Sequence, residues 1–150
     1  MKLTNIRLND YPIKTYDKIR YRDMDRQGHV NNAVFSSFLE TGRVELIYNS
    51  SNQIISTNSS FVIASLNLDF ISELKWPGKV DIGTGIIKIG TSSIIIIQGL
   101  YQDEKLAATA ETIIVQTNKK TGSSKPLSPK AKEILEILIM TYKNIILIKN

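Results

Sequence analysis

A chain of 150 residues is the length of one ordinary domain and can bury roughly two thirds of its unfolded surface, so a single domain over residues 1–150 is expected. Hydrophobic residues make up 42% and charged residues 22%, near globular averages, which excludes an extensively disordered or collagen-like chain; the absence of cysteine excludes disulfides, zinc–thiolate sites, iron–sulfur clusters and cysteine nucleophiles. The net charge of +5 attracts anions in general, but the basic residues are scattered, with Lys119-Lys120 the only adjacent pair, and without a basic stripe nucleic acid is not an expected partner.

The first residues, MKLTNIRLNDYPIK, hold no unbroken apolar run and no small-residue cleavage pattern, which predicts a cytoplasmic protein. From Thr15 to Arg22, Tyr16, Ile19 and Tyr21 sit among charged residues, a pattern for an edge strand. The polar stretch Asp23 to Gly28 reads as a loop. Phe35, Phe38, Leu39, Gly42 and Leu46 then recur at intervals of three and four, predicting a helix within Ala33 to Tyr48 with Asn31 or Asn32 as its cap. Asn49 to Ser60 is loop-forming around a short apolar island, Gln53-Ile54-Ile55.

Four strand-like segments follow with no second long helical pattern between them, predicting a run of antiparallel strands. Phe61 to Leu74 alternates Val62, Ala64, Leu66, Leu68 and Phe70 on one expected face. Pro77-Gly78 makes a turn before Lys79 to Ile89, with Val80, Ile82, Thr84 and Ile86 in alternation. Ser93 to Tyr101 contains Ile94-Ile95-Ile96-Ile97, suited to a central strand buried on both faces. A turn at Gln102 to Lys105 leads into Leu106 to Thr117. Ser128-Pro129 places a cap before a first-turn proline, predicting a second helix from Pro129 to about Tyr142, with Ile134, Leu135, Ile137 and Leu138 apolar. The tail Ile145 to Ile148 reads as an extension of that helix or a subunit contact. Isoleucine, at 24 residues against 6 alanines, suits this β-rich reading, although an AT-rich genome would produce the same bias. No apolar run reaches the ~20 residues of a membrane span. Five strands and one long amphipathic helix predict a two-layer α+β domain, the helix packed on one face of the sheet.

Between the first strand and the helix stands Tyr21-Arg22-Asp23-Met24-Asp25-Arg26-Gln27-Gly28-His29-Val30-Asn31-Asn32-Ala33-Val34-Phe35, followed by Phe38-Leu39-Glu40 and Gly42-Arg43-Val44-Glu45. These residues resemble the signature of the 4-hydroxybenzoyl-CoA thioesterase family. Phe61 to Ala64, Asn67 to Phe70, Gly78 to Val80 and Lys125 to Pro129 continue the likeness in order and spacing, over about residues 15 to 138. The resemblance implies a hotdog fold, in which a five-stranded antiparallel sheet wraps around one long helix, and hydrolysis of an acyl-CoA thioester without a metal or other cofactor.

Thioester hydrolysis builds negative charge on the carbonyl oxygen and needs a carboxylate that attacks the carbon or deprotonates a water. A loop feeding a helix N-terminus supplies donors, here backbone N–H groups near Asn31 to Ala33. By resemblance Asp25 is the catalytic carboxylate, as nucleophile or as general base; read alone it is a solvated turn residue. His29, the only histidine, either orients the substrate or Asp25, or caps the loop. Asn32 joins Asp25 and His29 as a candidate catalytic residue, and Asn31 and Asn32 are also ordinary cap residues. Gly28, which lets the loop approach a ligand closely, Val30 and Asn31 are candidate substrate-binding residues. So is Glu40, which reads as a solvated helix residue in a monomer and by resemblance lies near the subunit interface. Asp23 is expected to bond loop amides.

Two departures bear on the substrate. Asp69-Phe70-Ile71-Ser72-Glu73-Leu74, the expected end of the second strand, stands where family members often carry a basic residue and a proline, and Phe35 stands where tyrosine is common. The carrier is expected to be coenzyme A, or alternatively the acidic acyl carrier protein, and the assembly a homodimer or homotetramer, because an Ile-rich edge strand left unpaired invites association. A non-catalytic acyl-binding protein and a dehydratase are the competing classes; the latter needs a histidine on the helix, and none follows His29.

Overall fold

In the computed structural model, residues 2–49 and 54–141 are described. Five strands, β1 (Ile13–Lys18), β2 (Ser59–Phe70), β3 (Lys79–Ile89), β4 (Ser93–Gln102) and β5 (Lys105–Asn118), form one sheet with two helices, α1 (Asn32–Tyr48) and α2 (Pro129–Glu136). The sheet order is β1-β3-β4-β5-β2 and every pair is antiparallel. This is the expected α+β arrangement, a five-stranded antiparallel sheet around one long helix. The order carries information beyond the run of strands: β2 does not pair with β3, its successor, but crosses to the far edge beside β5.

The central strand is β4, as its isoleucine run predicts. Ile94 and Ile96 pack with Leu46 of α1, whereas Ile97 belongs to a cluster with Ile6, Tyr11 and Tyr101, so the N-terminal segment covers the sheet face opposite α1. Tyr101 Oη donates to the Ile6 carbonyl at 2.6 Å, and burial pushes its phenol up to about 12. A two-residue turn, Asp103 and Glu104, both at positive φ (49° and 66°), joins β4 to β5.

Four expectations need correction. The first strand ends at Lys18, not Arg22, because Tyr21–Asp23 forms a short 3-10 turn in which the Asp23 carboxylate accepts the Arg20 N–H at 2.8 Å. The expected alternation along β2 fails at its start. An irregularity between Ile63 and Ser65 leaves Ala64 without an opposite residue, so Phe61 and Ile63 lie opposite Gln116 and Ile114, on the same face as Leu66, Leu68 and Phe70; Val62 turns the other way. The strand also stops at Phe70 rather than Leu74, where the Ile71 and Ser72 amides both bond the Ala107 carbonyl. Finally, α2 ends at Glu136 because the chain leaves it to pair with β3: Ile86 N–H donates to Leu138 O at 3.1 Å and Met140 N–H to Ile86 O at 2.7 Å. Ile137 is consequently 80% exposed rather than packed. Tyr142 and the tail Ile145 to Ile148 lie outside the described residues, as does Gln53 of the apolar island, whose Ile54 is buried in the core.

Helix α1 is seated by a polar lock as well as by apolar contact. Phe38 and Leu39 pack with Ile82, Leu100 and Ala110, and Leu46 with Ile86, Ile96 and Ile114, each large side chain contributing about 1.5–3 kcal/mol. Between these clusters Gln98, fully buried on β4, donates to the Leu39 carbonyl at 2.9 Å and to Thr84 Oγ1 at 3.1 Å. Gly42 allows the approach: a Cβ there would stand 2.5 Å from Gln98 Nε2 and 2.6 Å from Thr84 Oγ1. Gly42→Val is therefore expected to lower the unfolding free energy by about 1–3 kcal/mol, read from the urea midpoint; a variant as stable as the parent would contradict this seating.

Candidate active site

The loop between β1 and α1 is tied at both ends. Asp23, with its side chain 3% exposed, receives Arg20 N–H and Arg20 Nη2, the latter at 3.0 Å, and its carbonyl accepts the Asn31 N–H at 2.9 Å. Within the loop Asp25 N–H donates to His29 O at 3.0 Å and Gly28 N–H to Asp25 O at 3.2 Å, closing a tight reversal. Gly28 makes the reversal possible at φ +86°, in the left-handed region; a Cβ there would meet no protein atom within 4 Å, so backbone conformation, and not crowding within the chain, calls for glycine. Val30 N–H then bonds Leu74 O at 2.8 Å, pinning the loop to the segment that follows β2.

These ties bring together residues distant in sequence. A cavity of about 190 Å³ is lined by His29, Val30, Asn32 and Phe35 from the loop and helix, and by Phe70, Ile71, Ser72 and Glu73 from the end of β2. Phe35 and Phe70 meet edge to face with ring centroids 5.0 Å apart. The two departures read from the sequence thus both stand on this wall, Phe35 directly and the stretch Asp69 to Leu74 through Phe70, Ile71, Ser72 and Glu73. A second, more polar groove adjoins it, sharing Ser72 and Glu73 and continuing along Lys75, Pro77, Gln102, Asp103 and Lys105.

Asp25 stands beside the cavity and does not line it. One carboxylate oxygen accepts the Gln27 N–H at 2.8 Å; the other lies 3.6 Å from Nδ1 of His29, which is on the wall. The far ring nitrogen of His29 is 4.0 Å from Glu73 Oε1, so the imidazole stands between two carboxylates at distances of ion pairing and beyond those of strong hydrogen bonds. Asp25 and His29 are each about a quarter exposed (24% and 23%).

The first turn of α1 shows which amide is available. Asn31 caps the helix, its side chain accepting the Ala33 N–H at 2.9 Å. The Asn31 N–H goes to Asp23, and the Val34 N–H to the Asn31 carbonyl. The Asn32 N–H is the first-turn amide without a partner among the described residues, and Asn32 lines the cavity. An unpaired amide at the positive end of a helix dipole suits a developing oxyanion.

Of the candidate residues, Asp25, Gly28, His29, Val30, Asn31 and Asn32 are brought together in and around the loop. Glu40 is not: it is exposed two turns along α1 and its charge acts on Arg43, whose guanidinium burial pushes toward easier deprotonation while Glu40 opposes this. Sequence reasoning tied Phe35 and the stretch holding Phe70 to Glu73 to the substrate through the resemblance alone, and did not bring them together on one wall. Their position follows from the crossover of β2 and the bond from Val30 to Leu74, neither of which leaves a local signal. Among the described residues no group of three His, Asp or Glu side chains could hold a metal ion, and no helix is long and apolar enough to cross a membrane.

The arrangement matches known proteins in sequence and in structure. Residues 19–135 match the thioesterase-like superfamily. No curated protein gives a significant sequence match. Among solved structures, a thioesterase from Thermus thermophilus, complexed with coenzyme A and Zn, superposes with a TM-score of 0.73 at 27% identity, covering 86% of this chain and 95% of that one. A predicted thioesterase from Bacillus stearothermophilus does so with a TM-score of 0.78 at 23% identity, over 85% and 96% of the two chains. YbaW, a probable thioesterase from Escherichia coli, gives 0.72 at 24%, over 85% and 98%. The match over most of the chain, on this fold, establishes that the protein belongs to the thioesterase-like superfamily and is a thioester hydrolase with the hotdog fold.

Proposed function

We propose that the protein hydrolyses acyl-coenzyme A thioesters, with Asp25 as the reacting carboxylate and the Asn32 N–H as the donor that stabilises the carbonyl oxygen. The observation that carries this reading is the apolar cavity with one unpaired helix amide on its wall and the Asp25–His29 pair at its edge. The acyl group lies against Val30, Phe35 and Phe70, which directs the thioester carbonyl toward Asn32. His29 packs between the substrate and Asp25 and orients both. Asp25, one oxygen held by the Gln27 amide and the other 3.6 Å from His29 Nδ1, uses the latter to attack the carbonyl carbon or to take a proton from water. The C–S bond breaks and the sulfur leaves with the carrier as the thiol, taking up the proton that water gives; if Asp25 attacks directly, water then hydrolyses the acyl–Asp25 anhydride and restores the carboxylate. Coenzyme A is the favoured carrier because a structural relative is known with it bound, and a net charge of +5 suits its phosphates. The reading is of a cytoplasmic, single-domain enzyme.

A carboxamide at position 25 can neither attack nor accept a proton. Asp25→Asn is expected to lower the rate of thiol release from butyryl-, decanoyl- and benzoyl-CoA by a factor of ~100 or more; equal activity in parent and variant would remove Asp25 from the mechanism. If the parent cleaves the same acyl groups only when they are delivered on an acyl carrier protein, the carrier is that protein and not coenzyme A.

The assembly proposed is a homodimer or homotetramer. Among the described residues the outer edge of β2 has no neighbouring strand, and Val62 (46% exposed), Ile63 (51%) and Phe70 (50%) lie open along it, while the cavity is lined by Phe70 and Ile71 at the end of the same strand. An unpaired apolar edge of this length favours association. Sedimentation at micromolar concentration should give at least twice 16.9 kDa; a stable species of 16.9 kDa would contradict the assembly.

A further inference from the structure

We propose that Glu73 is a charge filter for the acyl group, making the site selective for acyl chains that carry no negative charge. The inference rests on the hydrolase reading and deepens it to a substrate class. The cavity wall is apolar at Val30, Phe35, Phe70 and Ile71, and among the described residues the one carboxylate on it is that of Glu73 and no Lys or Arg lines it. An acyl group ending in a carboxylate would therefore meet hydrocarbon and a like charge, with no cation on the wall to compensate.

The cation that meets Glu73 stands in the adjoining groove and does not line the cavity. Lys75 holds the Glu73 carboxylate from the adjoining groove at 3.5 Å. His29 lies 4.0 Å from Glu73 on one side and 3.6 Å from Asp25 on the other, so an arriving carboxylate would compete with two resident ones for the imidazole. The phosphates of coenzyme A do not enter the comparison, because they sit at the far end of a long arm and are the same for every acyl group. The Glu73 side chain is 57% exposed, which makes its repulsion moderate and sensitive to salt.

Butyryl-CoA and succinyl-CoA have the same number of acyl carbons and differ in the terminal carboxylate, so the ratio of their kcat/KM values isolates the charge. The parent is expected to favour butyryl-CoA. In Glu73→Gln the succinyl-CoA value should rise and the ratio fall about five- to tenfold, the effect of one like charge a few ångströms away in a largely aqueous setting; Glu73→Lys should move it further in the same direction. In the parent, the ratio should also shrink between 20 mM and 500 mM NaCl, a response that loss of packing would not produce. A parent ratio near one, or a ratio unmoved in both variants, would overturn the filter. If the parent cleaves neither ester, acyl-coenzyme A hydrolysis fails for these short acyl groups, and the filter is judged separately from dissociation constants. The probes are the two analogues in which a methylene replaces the thioester sulfur, titrated into the parent and Glu73→Gln. The same shift in ratio supports the filter, and equal ratios refute it.

Discussion

The structure depends on the burial of α1 within the curl of the sheet. A helix with Phe35, Phe38, Leu39, Gly42 and Leu46 on one face must cover that face, and five antiparallel strands cover it only by bending around it. Where the helix approaches most closely, at Gly42, the sheet offers a polar side chain, and the Gln98 amide bridges the Leu39 carbonyl and the Thr84 hydroxyl. A buried amide so satisfied resists rotation or sliding of the helix, because any shift would leave it unpaired at a cost of about 1–3 kcal/mol. The helix N-terminus is thereby fixed relative to the strands.

From that fixed point the site follows by short hydrogen bonds. The Asp23 carbonyl holds the Asn31 amide, the Leu74 carbonyl holds the Val30 amide, and the Asn31 side chain takes the Ala33 amide. With these amides bonded, the Asn32 amide is the one in the first turn without a partner among the described residues, and Asn32 lines the cavity. The same bonds set His29 between Asp25 and Glu73 and bring the end of β2 over the loop. The groups proposed for catalysis are thus placed by backbone contacts, one of which, from Val30 to Leu74, reaches across to the segment that follows β2.

How much of this the sequence conveyed depends on the range over which each feature is encoded. The span of α1, the Asn31 cap, the central position of β4 and the Ser128-Pro129 start of α2 were legible because periodicity, capping chemistry and strand composition act over a few residues. The loop from Asp25 to Asn32 was legible through its motif. The crossing of β2 to the far edge was not, since nothing local distinguishes a strand that pairs with its successor from one that does not. The irregularity at Ala64 was equally silent and reversed the face assigned to Val62. The early end of α2 came from a backbone pairing with Ile86, a tertiary contact that overrides helical periodicity. Glu40 was chosen by resemblance alone, and in the single chain it serves the electrostatics of Arg43 and not the cavity.

The central claim is that a thioester sits with its carbonyl oxygen at the Asn32 amide and its carbonyl carbon facing Asp25. The most direct test is an experimental structure of the protein bound to a ketone analogue of butyryl-CoA, in which a methylene replaces the sulfur. The account expects the ketone oxygen within hydrogen-bond distance of Asn32 N, about 2.7–3.2 Å, with an Asp25 oxygen or an Asp25-bound water over the carbonyl carbon. A ketone oxygen bonded elsewhere, with Asp25 remote from the carbonyl carbon, would contradict it.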